Sequence, residues 1–325
     1  VLVCGPAIRA LAARAGRVSL LVGPAGAAAG ALLPGVDDLL EWPAPWIEAR
    51  PGPVTTELTD RLQAEVAARG IDEAVIFTSY HQSPLPLALL LRLAGVPRIS
   101  AISEDYPGSL LDVRHRVPVG VPEPERALSL AAAAGYPLPD DDPGGLRLRL
   151  PATPGDEVLA AAGDGAVVVH PGATVAARTC PPRTCAAIVA TLARSGHRVL
   201  VTGGPAETEL TAAVAGDFGT DLGGLTDLAA LARLLSGAAA LVCGNTGPAH
   251  LAAAVGTPVV SLFAPTVPFG QWGPYRTPVV RLGDQLAGCQ GTRATSCPVE
   301  GHPCLSDVDP DDVVAAVDLL TREPR

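Results

Sequence analysis

Short apolar runs alternate along this chain with segments whose apolar residues recur at helical spacing, and the alternation occurs twice. In the first half, helical patterns cover residues 1–14, 55–69 (with Leu58, Leu62 and Val66 on one face), 85–94 and 123–135. Between them, residues 17–22, 36–42, 74–77 and 97–102 are predicted strands. In the second half, strands are predicted at 166–170, 198–202, 239–242 and 259–263. The helices expected there cover 184–195, a segment opening near Glu209, 250–255 and 309–321. Residues 103–116 carry no strong period and are expected to form a polar loop. Residues 137–154 concentrate Pro, Asp and Gly and are the linker candidate, although 146–150 alternate Leu and Arg as a strand would. Strands alternating with helices predict an α/β fold with parallel sheets in two domains, 1–145 and 151–325.

The stretch 241–266 holds the densest chemistry. A buried strand leads into Asn245-Thr246-Gly247-Pro248, which has the composition of a helix start. Asn or Thr can cap, Gly admits a ligand to the backbone, and Pro fits the first turn. Gly256-Thr257-Pro258 then stops the helix. Amides and dipole at such a helix start favour an anion, and a phosphate is the natural guest. Elsewhere, Ser79, His81 and Gln82 follow the strand at 74–77, where a ligand cleft forms in open α/β sheets. For His81, a capping or loop role stands beside the functional one. Glu104, Asp105, Asp112, Arg114 and His115 are candidate acceptor contacts or bases, against a solvated loop with local ion pairs.

Composition narrows the classes. The 325 residues suffice for two cores, and a formal net charge of −10 argues against nucleic acid as partner. Every basic residue is Arg, which with abundant Ala, Gly and Pro reflects codon bias. Neither a signal segment nor a membrane-spanning run stands out, so the cytoplasm is the expected location. Seven cysteines are an odd number. Cys289, Cys297, His302 and Cys304 cluster near the C-terminus without a Cys-x-x-Cys hook, which favours a surface loop with room for a disulfide over a zinc site.

Asn245-Thr246-Gly247-Pro248-Ala249-His250-Leu251-Ala252-Ala253-Ala254, followed by Leu262-Phe263-Ala264-Pro265-Thr266 and Trp272-Gly273-Pro274, resembles the ADP-heptose:lipopolysaccharide heptosyltransferase family, glycosyltransferase family 9. Where the family pattern has Asp, this chain has Asn245, its only Asn. The resemblance implies the GT-B architecture, with two Rossmann-like domains facing a cleft. The N-terminal one would bind the acceptor and the C-terminal one the nucleotide-sugar.

It further implies an inverting, metal-independent transfer of a sugar, heptose first, from an ADP-sugar to a glycan or other hydroxyl acceptor, with no cofactor. The alternative is a catalytically weak nucleotide-sugar-binding protein of the same fold. A 2-epimerase of the same architecture matches the motifs less well. His170-Pro171-Gly172-Ala173-Thr174 resembles the family's phosphate-approach segment, with Arg178 in the place of its basic phosphate contact and Cys180 in the place of its Trp. Glu209, then Glu207, would hold the ribose, Leu225 would wall the adenine, and Asn245, Thr246, Gly247 and His250 would meet the diphosphate. Gln82, His81 and Arg114 are expected on the acceptor side. The family's catalytic Asp lies in a Gly-Asp loop that would immediately precede Val1, leaving His81 and Asp105 as candidates within the sequence. Peripheral membrane association is compatible with such an acceptor, and no metal is expected.

Overall fold

The computed structural model describes residues 1–48, 51–79, 82–150, 152 and 162–322. Contacts divide the chain into two units, Val1–Gly145 and Leu146–Arg325.

The first unit runs α1 (Gly5–Ala12), β1 (Ser19–Val22), α2 (Pro24–Ala31), β2 (Asp38–Glu41), α3 (Thr56–Arg69), β3 (Glu73–Ile76), α4 (Leu85–Leu93), β4 (Arg98–Ile102), β5 (Val113–His115) and α5 (Glu123–Ala133). Among the described residues its strands pair in parallel as two sheets, β1-β2 and β3-β4-β5. α3 shows why its limits fall where they do. The Thr55 hydroxyl accepts the Leu58 N–H at one end, and Gly70 turns left-handed (φ 58°) at the other. Its inward residues Leu62 and Val66 pack with Trp42, Ile76, Leu91 and Ile99. At the far end of the unit, the Arg9 guanidinium forks onto both Asp142 oxygens (2.6 and 2.9 Å) and donates to the Gly145 carbonyl (2.9 Å).

Two expectations change here. Residues 103–116 are not all loop, because β5 pairs with β4. That strand is made by its neighbour and by the Asp112 carboxylate, which accepts the Ile99 N–H at 2.7 Å, rather than by its own pattern. Residues 146–150 keep their alternation of burial but form no strand. Leu146 anchors instead beside Ala253 and Tyr275.

The second unit contains β6 (Val167–His170), α6 (Pro182–Arg194), β7 (Val199–Val201), α7 (Thr208–Ala215), β8 (Thr220–Asp221), α8 (Leu228–Gly237), β9 (Ala240–Gly244), α9 (Gly247–Val255), β10 (Val259–Leu262), α10 (Phe269–Trp272), β11 (Val279–Leu282), α11 (Pro303–Ser306) and α12 (Pro310–Arg322). Its strands form one parallel sheet in the order β11-β10-β9-β6-β7-β8. The chain starts at β6, steps outward through β7 and β8, then returns to the other side of β6 with β9. Connections therefore diverge between β6 and β9, and their carboxyl ends border the crevice where ligands bind in such sheets. The two central strands are continuous apolar runs because both faces are covered. The outermost strand β8 has two exposed residues, too short to template further pairing. α6 and α12 pack on the sheet through Ile188, Val189, Leu192, Val313 and Val317.

Candidate functional site

At the end of β6, His170 is buried with Nδ1 3.1 Å from the Thr202 hydroxyl, and burial pushes its imidazole below the usual range. Pro171 and Gly172 follow. A Cβ on Gly172 would lie 1.9 Å from Glu207 Oε1, so only glycine lets that carboxylate reach the end of β6. Glu207 is fixed there by accepting the Gly204 N–H at 2.7 Å. The neighbouring loop is tied in by Gly224 N–H to the Gly203 carbonyl (2.9 Å) and presents Leu225, 72% exposed. An apolar side chain left open beside a held carboxylate suits a base stacked above a ribose. Of the two acids expected at this point, Glu207 is the one held against the end of β6. Glu209 stands exposed in the first turn of α7, where it complements the helix dipole. Asp227, for its part, is the N-cap of α8 and accepts the Ala230 N–H.

The end of β9 supplies the other wall. Thr246 occupies the cap position of α9 in an extended conformation, but its side chain makes no capping bond. The expected capping by Asn or Thr is therefore corrected, and the first amides of the helix are not closed by a side-chain cap. Asn245 Nδ2 and His250 Nδ1 are buried with no partner among the described residues, and burial pushes the His250 imidazole down to about 4. The ring is thus neutral at neutral pH. A Cβ on Gly247 would meet nothing within 4 Å, so the space above the helix start is open.

Arg178 joins this wall. Its carbonyl would lie 2.7 Å from a Cβ on Gly244, so glycine at the end of β9 lets the Arg178 loop close onto Asn245. Arg178 Nε is buried and unpartnered among the described residues, and burial, then the charge of Arg293, lowers the pKa of the guanidinium. Thr174 lies exposed in the same loop. Cys180 is core instead, its thiol directed at the Leu305 carbonyl (3.7 Å).

In the first unit, Gln82 folds back on Ser79: its N–H meets the Ser79 carbonyl at 2.9 Å and its Oε1 accepts the Ser79 N–H at 3.0 Å. Gln82 and Asp105 line a pocket of about 200 Å³ with Ser103, Glu104, Val117 and Arg126. Arg126 escaped the sequence reading. It is buried, donates to the Thr78 carbonyl at 2.5 Å and lies 3.6 Å from the Glu123 carboxylate. Its position on the apolar stripe of α5, with Ala127 and Leu130, is the signal that could have found it.

Arg114 acts as a brace, its guanidinium donating to the carbonyls of Ser103 and Glu104. Asp112 is likewise structural. The Ile99 amide and then Arg92 hold its carboxyl below the usual range. His115 Nε2 meets the Ser129 hydroxyl at 3.1 Å. His81 lies outside the described residues.

All seven cysteines are free thiols. Burial, then the neighbouring Cys289 and Cys297, raises Cys304 to about 12. Among the described residues, no group of three His, Cys, Asp or Glu is arranged to hold a metal, and no helix is long and apolar enough to cross a membrane.

The chain aligns with lipopolysaccharide heptosyltransferase 1 of Pseudomonas aeruginosa at 42% identity over 83 residues, 25% of this chain and 23% of that relative. Three solved structures share the fold along nearly the whole chain. A family 9 glycosyl transferase from Veillonella parvula has a TM-score of 0.82 at 16% identity, covering 99% of this chain and 94% of that one. E. coli ADP-heptose lps heptosyltransferase II has 0.73 at 19%, covering 98% and 94%. E. coli heptosyltransferase WaaC with ADP has 0.70 at 20%, covering 98% and 95%. These likenesses establish the α/β architecture as that of the GT-B class. The profile of glycosyltransferase family 9 (heptosyltransferase) matches residues 81–302, more than half of the chain, and the chain belongs to that family.

Proposed function

We propose that the chain transfers a sugar, heptose first, from an ADP-sugar to a hydroxyl of a glycan or similar acceptor, with inversion and without a metal. The acceptor oxygen attacks the anomeric carbon opposite the diphosphate, the bond from that carbon to the diphosphate oxygen breaks, and ADP leaves with the electron pair. The acceptor proton passes to a carboxylate. Asp105 is the candidate for that part among the described residues.

The second unit holds the donor. Amides at Thr246–Gly247 and the Arg178 guanidinium take up the charge developing on the diphosphate. Glu207 accepts from the ribose hydroxyls, and Leu225 packs on the adenine. His250, in the same helix, is a neutral ring. The observation that carries the reading is the meeting, at the point where the sheet connections diverge, of an uncapped helix start, an arginine with a buried unpartnered nitrogen and a glycine-admitted carboxylate. The pocket beside Gln82, Asp105 and Arg126 is the acceptor-side candidate.

Two relatives are named for lipopolysaccharide, so the direct test supplies labelled ADP-heptose and lipopolysaccharide cores lacking heptose. Label on the core with matching release of ADP is the expected result. Donor binding without transfer would favour the second reading, a nucleotide-sugar-binding protein, to which Asn245 in the family's Asp position lends support.

A further inference from the structure

A second cavity of the first unit shares no lining residue with the pocket beside Gln82. It holds about 460 Å³ and lies beyond the carboxyl ends of the parallel pair β1-β2, a position that suits a ligand in open α/β sheets. Its floor is Leu40, Trp42 and Leu62, the last two almost fully buried. The Trp42 indole donates its N–H to the Leu58 carbonyl (3.0 Å) and packs with Ile76 and Ile99, so the ring is pinned and offers the cavity only carbon. The rim is charged and mixed in sign. Glu41 closes β2, and Arg61 and Glu65 stand one turn apart on the exposed side of α3. Glu65 accepts from Arg69, whereas Glu41 and Arg61 make no ion pair among the described residues. A carboxylate and a guanidinium thus line one cavity without closing on each other. Before Pro24, on the same rim, a Cβ on Gly23 would lie 2.8 Å from Glu48 Oε1, so glycine lets another carboxylate approach this edge.

These groups discriminate among ligands. A purely apolar guest would leave the rim charges uncompensated. A simple anion would meet two carboxylates, Glu41 and Glu65, for one free guanidinium. A sugar ring fits both levels: its C–H face packs on the apolar floor, while its hydroxyls donate to a carboxylate and accept from a guanidinium. We infer that the cavity seats a ring of the acceptor other than the one that is glycosylated, with Glu41 and Arg61 binding its hydroxyls. The acceptor is then a glycan of at least two rings. The inference rests on the reading above of a glycan acceptor and adds to it a separate site on β2 and α3.

The test uses two acceptors, the oligosaccharide released from lipopolysaccharide cores lacking heptose and the single sugar at its end. Saturation-transfer NMR on the full chain reads their binding without any transfer, and steady-state transfer from ADP-heptose reads KM and kcat. The variants are Glu41→Gln and Arg61→Gln, both at exposed positions without ion pairs, with Asp60→Asn, exposed on α3 outside the cavity, as control. Expected is a rise of about tenfold in KM for the oligosaccharide in each variant, the size of one charge-assisted contact, with weaker NMR contact and kcat little changed. The single sugar should lose far less, and Asp60→Asn should match the wild type. Transfer to the oligosaccharide with wild-type KM in both variants, or an equal loss for both acceptors, would overturn the site while leaving the transferase reading intact. Oligosaccharide binding that weakens in both variants, from a chain that transfers nothing, would keep the site and remove the transferase reading. A folded wild type that neither binds nor glycosylates either acceptor would remove both.

Discussion

Gly172→Ala separates the fold from the site. Nothing in the Gly172 backbone requires glycine, because its φ lies outside the left-handed region; what requires it is the carboxylate of Glu207, 1.9 Å from the new methyl. To reach even 3.0 Å the carboxylate must retreat by at least about 1.1 Å, since packed atoms do not interpenetrate. The clash involves the far end of a flexible side chain, so the fold can absorb it. Its structural cost is the bond from Gly204 N–H, about 1–2 kcal/mol. The ribose site cannot absorb it. Carboxylate–hydroxyl bonds of about 1.5–3 kcal/mol are lost, which is roughly ten- to a hundredfold in ADP affinity. Paired urea denaturation and ADP titration read the two effects separately. A variant that binds ADP like the wild type would refute Glu207 as the ribose residue. A variant that loses ADP and inorganic pyrophosphate equally would place the damage at the phosphates instead.

Four further outcomes are expected. Gly247→Val should leave urea stability unchanged, because the added side chain meets open space, yet weaken ADP at least tenfold by covering the helix-start amides, measured by calorimetry. Arg178→Ala should weaken ADP by about 1.5–3 kcal/mol and adenosine hardly at all, and equal losses would count against a phosphate contact. Arg9→Ala should destabilise the first unit by about 1–3 kcal/mol in urea melts, since it removes both guanidinium bonds from the largely buried Asp142 carboxylate, which keeps the bond from Gly144 N–H. The fourth concerns pH. His250 sits near 4 in the folded chain against 6.5 for the free side chain, so the unfolded chain binds the extra proton first and stability should fall as pH drops from 6.5 towards 4. His250→Gln should flatten part of that slope, and an unchanged slope would show that the imidazole titrates normally.

The elements that position the donor site were legible because burial on both faces writes a strand as an unbroken apolar run, as in Val167-Val168-Val169 and Ala240-Leu241-Val242. The helix start at Gly247 and its stop at Gly256 (φ 80°) were legible through Pro and Gly. β5, β8 and β11 were not, because their residues are half-buried or exposed, so burial writes no unbroken apolar run into them. The Leu-Arg alternation at 146–150 misled for the complementary reason: it records one anchored face without any ladder. The sequence put Glu209 ahead of Glu207, and what holds Glu207 rather than Glu209 against β6 is the missing Cβ of Gly172 together with the bond from Gly204 N–H, neither of which a local pattern shows. Arg126 depends on contact with a distant segment, at Thr78, which no local pattern encodes.

The most direct measurement is the affinity of the chain for ADP, UDP and GDP, titrated calorimetrically under one set of conditions. The account predicts that ADP binds with clear preference, because Leu225 and Glu207 define the base and ribose end of the site while Arg178 and the α9 amides hold the diphosphate. Equal binding of all three would leave the phosphate grip and remove the adenine wall. Binding of none by a folded chain would contradict the donor site itself.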